Sequence, residues 1–152
     1  MVWGGISLGY CTDLHIFKRG PVTAVWYRDE VLEPIVRLYA AAVDPTFVLM
    51  DDNARRRLRA DIVDDYLVSE EIARMALSAY SHDLNPIENL WDALDCAVSS
   101  RFSPPSTFIE LETALQEKWR LLNSEVVDHL IDSMVRRCKL CVQMRGGDRI
   151  PY

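Results

Sequence analysis

The sequence predicts an α/β arrangement that gives way to an all-helical C-terminal part. Three observations lead there. Two short runs of strand-favouring residues open the chain, separated by a glycine. Helix-like and strand-like patterns then alternate through residue 78. From Pro86 onward every periodic stretch repeats at the helical spacing.

The elements follow in order. Residues 2–8, "VWGGISL", and 11–17, "CTDLHIF", flank Gly9 and Tyr10 and predict a β-hairpin. Lys18 to Pro21 turn the chain into a helix from about Thr23 to Ala42. Its apolar positions are Val25, Val31, Leu32, Ile35, Val36 and Tyr39, and Asp44 with Pro45 ends it. Phe47 to Met50 are continuously apolar, which predicts a strand buried on both faces. That strand stops at Asp51, Asp52 and Asn53. A helix over about 60–69 should turn Ile62, Val63, Tyr66 and Leu67 inward, and "IARMALS", 72–78, reads as a further strand.

Pro86 suits the first position of the next helix, where no amide hydrogen is required. Ile87, Leu90, Trp91, Leu94, Ala97 and Val98 form its apolar stripe. Another helix begins near Thr107, with Glu110 three residues on and a stripe of Phe108, Leu111, Leu115, Trp119 and Leu122. The last runs from about Glu125 to Met144, with Val127, Leu130, Ile131, Met134, Cys138 and Cys141 on one face. Gly146 and Gly147 stop it.

Composition narrows the class. The chain has 152 residues, 49% hydrophobic and 26% charged, ordinary for one globular domain with a core of its own. No apolar run approaches a membrane span, and the N-terminus has no basic region followed by a long apolar stretch. The chain opens directly in apolar, strand-like sequence, so upstream sequence is expected to be missing. Four scattered cysteines make no disulfide framework; Cys138 and Cys141 form a C-x-x-C that could hold zinc or work in redox chemistry, but with no second ligand pair nearby they read better as two thiols on a buried helix face. A net charge of −6 argues against a protein that coats nucleic acid, yet metal-dependent nuclease sites are themselves acidic.

Two acidic positions stand out. In open α/β sheets ligands bind beyond the carboxyl ends of the strands, where "MDDN" delivers Asp51 and Asp52. The alternative is a polar turn that merely ends the strand. Glu88 lies on the first turn of the helix behind Asn85 and Pro86. Asn85 and Glu88 have capping-box spacing, which explains Glu88 without any function, and the cap and metal roles compete for one carboxylate. Arg55, Arg56, Arg57 and Arg59 follow the strand and suit either DNA phosphates or a solvated loop. Arg136, Arg137, Lys139, Arg145 and Arg149 suit phosphates too, but cations near a helix C-terminus are also favoured by its dipole. Three dispersed histidines suggest no metal trio, and the four tryptophans read as core.

"VWGGIS", "FVLMDDNAR" and "SHDLNPIENLWDAL", taken together, resemble the catalytic domain of mariner-type (Tc-like) DDE transposases. "LIDSMVRRCKLCVQMRGG", 130–147, resembles that family's C-terminal helix, and the motifs stand in the family's order along nearly the whole chain. The resemblance implies an RNase H-like mixed sheet with a helical C-terminal extension. It makes residues 1–152 a partial DDE catalytic domain, with an α/β part over 1–80 and a helical part over 81–152. It implies an Asp, Asp, Glu site holding two Mg²⁺ (or Mn²⁺) ions for DNA strand cleavage and strand transfer. The second acid then corresponds to Asp52 and the third to Glu88, converging on one cation site; Asp51 has no assigned role. DNA, as transposon ends and target, is the implied partner, and the nucleus the implied location.

The departures carry equal weight. The family's first Asp lies on a strand upstream of "VWGGIS", so that strand and its acid are absent from these residues, and Asp13 cannot stand in for it. Without that strand the sheet should show two exposed edges, or pair the hairpin directly with 46–51. Arg56, Arg57 and Leu58 occupy the place of the family's Pro-His. The interval from Asp52 to Glu88 is one residue longer than usual, which a loop absorbs but which would rotate a packed helix by about 100°. "MALSAY" replaces a segment that often carries Asp-Trp-Pro, and His82 replaces a proline. These read as drift, and the chain alone is expected to be catalytically inactive. The rival expectation is a non-enzymatic module that binds DNA or dimerises, with itself or with intact transposase.

Overall fold

The computed structural model describes residues 1–43, 46–51, 61–77 and 84–143. The chain packs as two units. One comprises Met1 with Phe17–Ser81; the other joins Val2–Ile16 to His82–Tyr152.

The first unit begins on a helix interrupted by a proline. Thr23 caps it, its hydroxyl accepting from the Trp26 amide at 3.3 Å, and α1 covers Ala24–Tyr27. The chain then runs as a π-helix through Arg28–Val36 and returns to α geometry in α2, Arg37–Val43. Pro34 sits inside the π segment. It has no amide hydrogen for the α ladder, and its ring would press on the carbonyl four residues back. The wider turn avoids that clash without ending the helix. Val31, Leu32 and Val36 stay buried through the change, whereas Val25, predicted inward, is exposed.

β5, Val48–Asp51, and β6, Ala73–Ala76, pair in parallel, with Val48 opposite Ala73 and Asp51 opposite Ala76. Helix α3, Asp61–Ser69, lies between them in sequence, as a parallel pair requires. Val63 and Leu67 are buried as expected, while Ile62 is exposed. The apolar run of β5 is not buried on both faces: Val48 is 49% exposed. β6 is its one strand partner among the described residues, so a strip of apolar sequence remains at an edge.

Helix α3 ends in an unexpected way. Glu71 takes a left-handed conformation at φ 55°, the Ile72 amide reaches back to the Leu67 carbonyl at 2.9 Å, and the Glu71 amide to Val68 at 3.1 Å. That is a Schellman closure with glutamate where glycine is favoured.

The second unit is a hairpin joined by three helices. Its outer pair is β1, Val2–Trp3, with β4, His15–Ile16; its inner pair is β2, Ile6–Ser7, with β3, Tyr10–Cys11. Gly4 and Gly5 separate the pairs on one side, and Thr12, Asp13 and Leu14 on the other. The extra residue is a bulge. Thr12 closes it: its amide donates to the Gly5 carbonyl at 2.9 Å, and its hydroxyl accepts from the Gly5 amide at 2.8 Å. Leu8 and Gly9 form the tip, and Gly9 takes the positive φ, 73°, that the tight turn demands.

The helices are α4, Pro86–Ser99, α5, Phe108–Arg120, and α6, Ser124–Gln143. Leu90, Leu94 and Val98 bury the predicted stripe of α4. Trp91 and Trp119 stack at 5.2 Å, and the buried Trp119 donates its indole hydrogen to the Thr12 carbonyl at 2.7 Å. The close approach explains Gly4, because a methyl there would stand 2.8 Å from the Trp119 ring. The hairpin tip is held by the Gly9 amide donating to Asp128 on α6 at 2.6 Å.

Two predicted faces are rotated. On α5, Ala114 and Trp119 are buried while Phe108 and Leu111 are exposed. On α6, Val127 and Arg137 are buried, whereas Cys138 is exposed and Cys141 half-buried, so the two thiols do not share a buried face. Arg137 is 2% exposed and donates from Nε to Ser133 Oγ at 3.0 Å. It is therefore neither a phosphate contact nor a solvated cation.

Candidate functional site

Asp52 and the run Arg55, Arg56, Arg57 and Arg59 lie outside the described residues, as do Arg145 and Arg149. Their neighbour Asp51 is described. Arg74 on β6 reaches Asp51 Oδ2 with one guanidinium nitrogen and Asp64 Oδ1 with another, both at 2.6 Å. The parallel register makes this possible: Arg74 sits opposite Leu49, and Asp51 is two residues on, over the same sheet face. The Leu77 amide also donates to the Asp51 carbonyl at 3.1 Å. Asp51 thus anchors the end of β5 to β6 and α3, a structural task that sequence reasoning left blank. A basic residue two positions from an opposed strand end was the available signal.

Glu88 is half-buried on the first turn of α4. Pro86 begins the helix, and Asn85 takes the extended N-cap conformation at φ −107°, ψ 106°. The spacing promised a cap in which Asn85 accepts from a helix amide. The Asn85 side chain makes no such bond. Its Nδ2 instead donates to Glu88 Oε1 at 3.2 Å, while the Asn85 backbone carbonyl receives the Glu88 amide at 3.2 Å. The asparagine is 8% exposed, so the pair is set into the protein. On the next residue, Asn89 Oδ1 is buried with no hydrogen-bond partner among the described residues.

α5 shows what a spent capping carboxylate looks like. The Thr107 hydroxyl accepts from the Glu110 amide at 3.2 Å, and Glu110 Oε2 accepts from both the amide and the hydroxyl of Ser106. Those bonds to Ser106 hold the Glu110 carboxyl below its usual range.

Carboxylate and amide oxygens are hard donors, the kind that suit Mg²⁺ or Mn²⁺. The donor chemistry of the first turn of α4 therefore fits a divalent cation. Among the described residues no group of three or more His, Cys, Asp or Glu side chains could hold one. No helix among those residues is long and apolar enough to cross a membrane.

No family model matches the chain. Three transposases are similar to it at 28% identity, each alignment covering 96% of this chain: those of the transposable elements Tcb2 and Tcb1 of Caenorhabditis briggsae and Tc1 of Caenorhabditis elegans. The chain spans about half the length of these transposase relatives, 52% of each. Among solved structures, the Mos1 mariner transposase catalytic domain superposes with a TM-score of 0.78 at 19% identity, over 99% of this chain and 74% of that one. The Mos1 catalytic domain solved with raltegravir and Mn gives the same score at 20% identity, and that with Mg at 19%. The fold is RNase H-like, that of the Mos1 catalytic domain.

Proposed function

We propose that the chain serves as catalytic-domain sequence of a DDE-type transposase, with Asp52 and Glu88 as two of its acids. Mg²⁺ or Mn²⁺ is the metal, and DNA, as transposon ends and target, is the substrate; such work places the protein in the nucleus. The observation that carries this reading is Glu88 itself: a half-buried acid at the start of α4, addressed by Asn85 from the side. The motif around it runs in transposase order.

When bound, the metal supplies activation of a water or DNA 3′-hydroxyl and offsets charge in the in-line displacement. Glu88 presents its carboxylate at the positive end of the α4 dipole, where negative charge is favoured. Arg55, Arg56, Arg57 and Arg59 come within seven residues after Asp52 and supply cations for the DNA backbone. Two acids of a three-acid site position a metal poorly, so the purified chain is expected to bind DNA without cutting it.

The test is incubation of the purified chain with transposon-end DNA and Mg²⁺ or Mn²⁺. DNA binding that weakens as salt rises, with no nicks, is expected. Replacing the four arginines with alanine should flatten the salt slope by roughly 0.9 for each phosphate no longer neutralised. Nicking abolished by Asp52→Ala and by Glu88→Ala would overturn the inactivity of the chain alone. Absence of salt-sensitive binding would overturn the DNA partner.

A further inference from the structure

We infer that Asn85 is a positioning residue for the Glu88 carboxylate, in place of the helix-capping task its location suggests; this rests on the reading of Glu88 as a metal-binding acid. Three observations converge. Asn85 occupies the N-cap of a long helix with the right backbone angles, yet its side chain makes no cap hydrogen bond. The amide nitrogen is spent on Glu88 Oε1 at 3.2 Å. The residue is 8% exposed, so its side chain cannot swing freely into solvent.

The other helix starts in the same unit make the contrast. At α5 the Thr107 hydroxyl accepts from the Glu110 amide, and at α6 Asn123 Oδ1 accepts from the Glu125 amide at 2.9 Å. Both obey the ordinary rule that an N-cap oxygen satisfies an early helix amide. Asn85 alone among these three breaks it, and what it gains is a bond to a carboxylate. Local rules broken without a stabilising return concentrate where function sets the geometry.

The chemistry follows from the donor. An amide N–H bound to Oε1 fixes the carboxylate rotamer. Rotation of Glu88 back onto the helix-start amides, as Glu110 has done at α5, is thereby opposed. A ligating carboxylate held by a hydrogen-bonding neighbour loses less freedom when it takes a cation. Pro86 adds to this, since its fixed φ holds Asn85 at a constant angle to the first turn.

The experiment compares the unsubstituted chain with Asn85→Ser, Asn85→Gly and Glu88→Gln. Melting temperature reports the helix start, and electron paramagnetic resonance of free Mn²⁺ reports metal affinity. Serine is a strong N-cap and glycine a tolerated one, so both preserve a capping role while removing the amide donor. We expect both variants to melt close to the unsubstituted chain but bind Mn²⁺ roughly tenfold more weakly, as removal of a partner behind a ligand does. Glu88→Gln should lose affinity at least as far. Unchanged Mn²⁺ affinity in both Asn85 variants, with affinity lost in Glu88→Gln, overturns the inference and leaves the metal reading standing. Unchanged affinity in Glu88→Gln overturns the metal reading, and the inference with it.

Discussion

At the scale of single residues, the close approaches carry the most information. Gly4 is there because Trp119 leaves no room for a side chain: Gly4→Ala puts a carbon 2.8 Å from a buried, stacked and hydrogen-bonded ring. Neither Trp119 nor Thr12 can yield easily, so the variant should lose about 1–3 kcal/mol, read as a lower urea midpoint. Glu71 predicts the opposite sign. It holds a left-handed conformation that costs a side-chain-bearing residue about 1 kcal/mol, so Glu71→Gly should raise the melting temperature despite glycine's greater freedom when unfolded. Neither feature is legible in sequence. "VWGGIS" announces close packing without naming a partner more than a hundred residues away, and a glutamate gives no sign of a left-handed cap.

At the scale of elements, polar links tie helices and strands together. Tyr66 on α3 donates to Glu33 Oε2 on the π segment at 2.7 Å. Burial, and then the bond and charge of Glu33, push the tyrosine up from 10.0 to about 12. A folded value raised above the unfolded one means that this contribution is complete below the unfolded value and is lost as pH climbs towards 12. Denaturation midpoints of the chain and Tyr66→Phe should therefore differ most near neutral pH and converge in strong alkali. A constant difference across that range would contradict it.

The Arg74 clamp predicts an asymmetry. Arg74→Met strips the guanidinium from the half-buried Asp51 and should cost about 1–3 kcal/mol. Asp64→Asn removes a more exposed partner and should cost under about 1 kcal/mol in the same denaturation assay. Helix positions were legible from apolar spacing, with starts expected near Thr23 and Thr107, where the N-caps lie. Helix faces were less so. Spacing names an apolar stripe but cannot foresee that Arg137 will be buried while Cys138 is exposed. The π register was available in principle from Pro34, whose missing amide no α-helix interior accommodates well.

At the scale of the molecule, four weak motifs in a shared order pointed to an RNase H-like transposase fold, and that fold is present. Order along the chain was the informative signal, since the strands are too short for periodicity alone to rank them. The bulged hairpin grouping with the helices, by contrast, depends on Trp91 and Trp119, which composition marks only as core. Of the proposed site, Glu88 was legible in position but not in what holds it. The Asn85 bond replaces the cap that spacing favoured, and no sequence pattern distinguishes the two uses of one asparagine.

The proposed function makes Asp52 and Glu88 two acids that bind the catalytic metal. Loading the chain with Fe²⁺ in place of Mg²⁺ and adding ascorbate and peroxide cuts the backbone beside the bound ion. Cuts near Asp52 and near Glu88 are expected, suppressed together by excess Mg²⁺, by Asp52→Ala and by Glu88→Ala. Cuts near only one of them, or cuts that survive both substitutions, would contradict it.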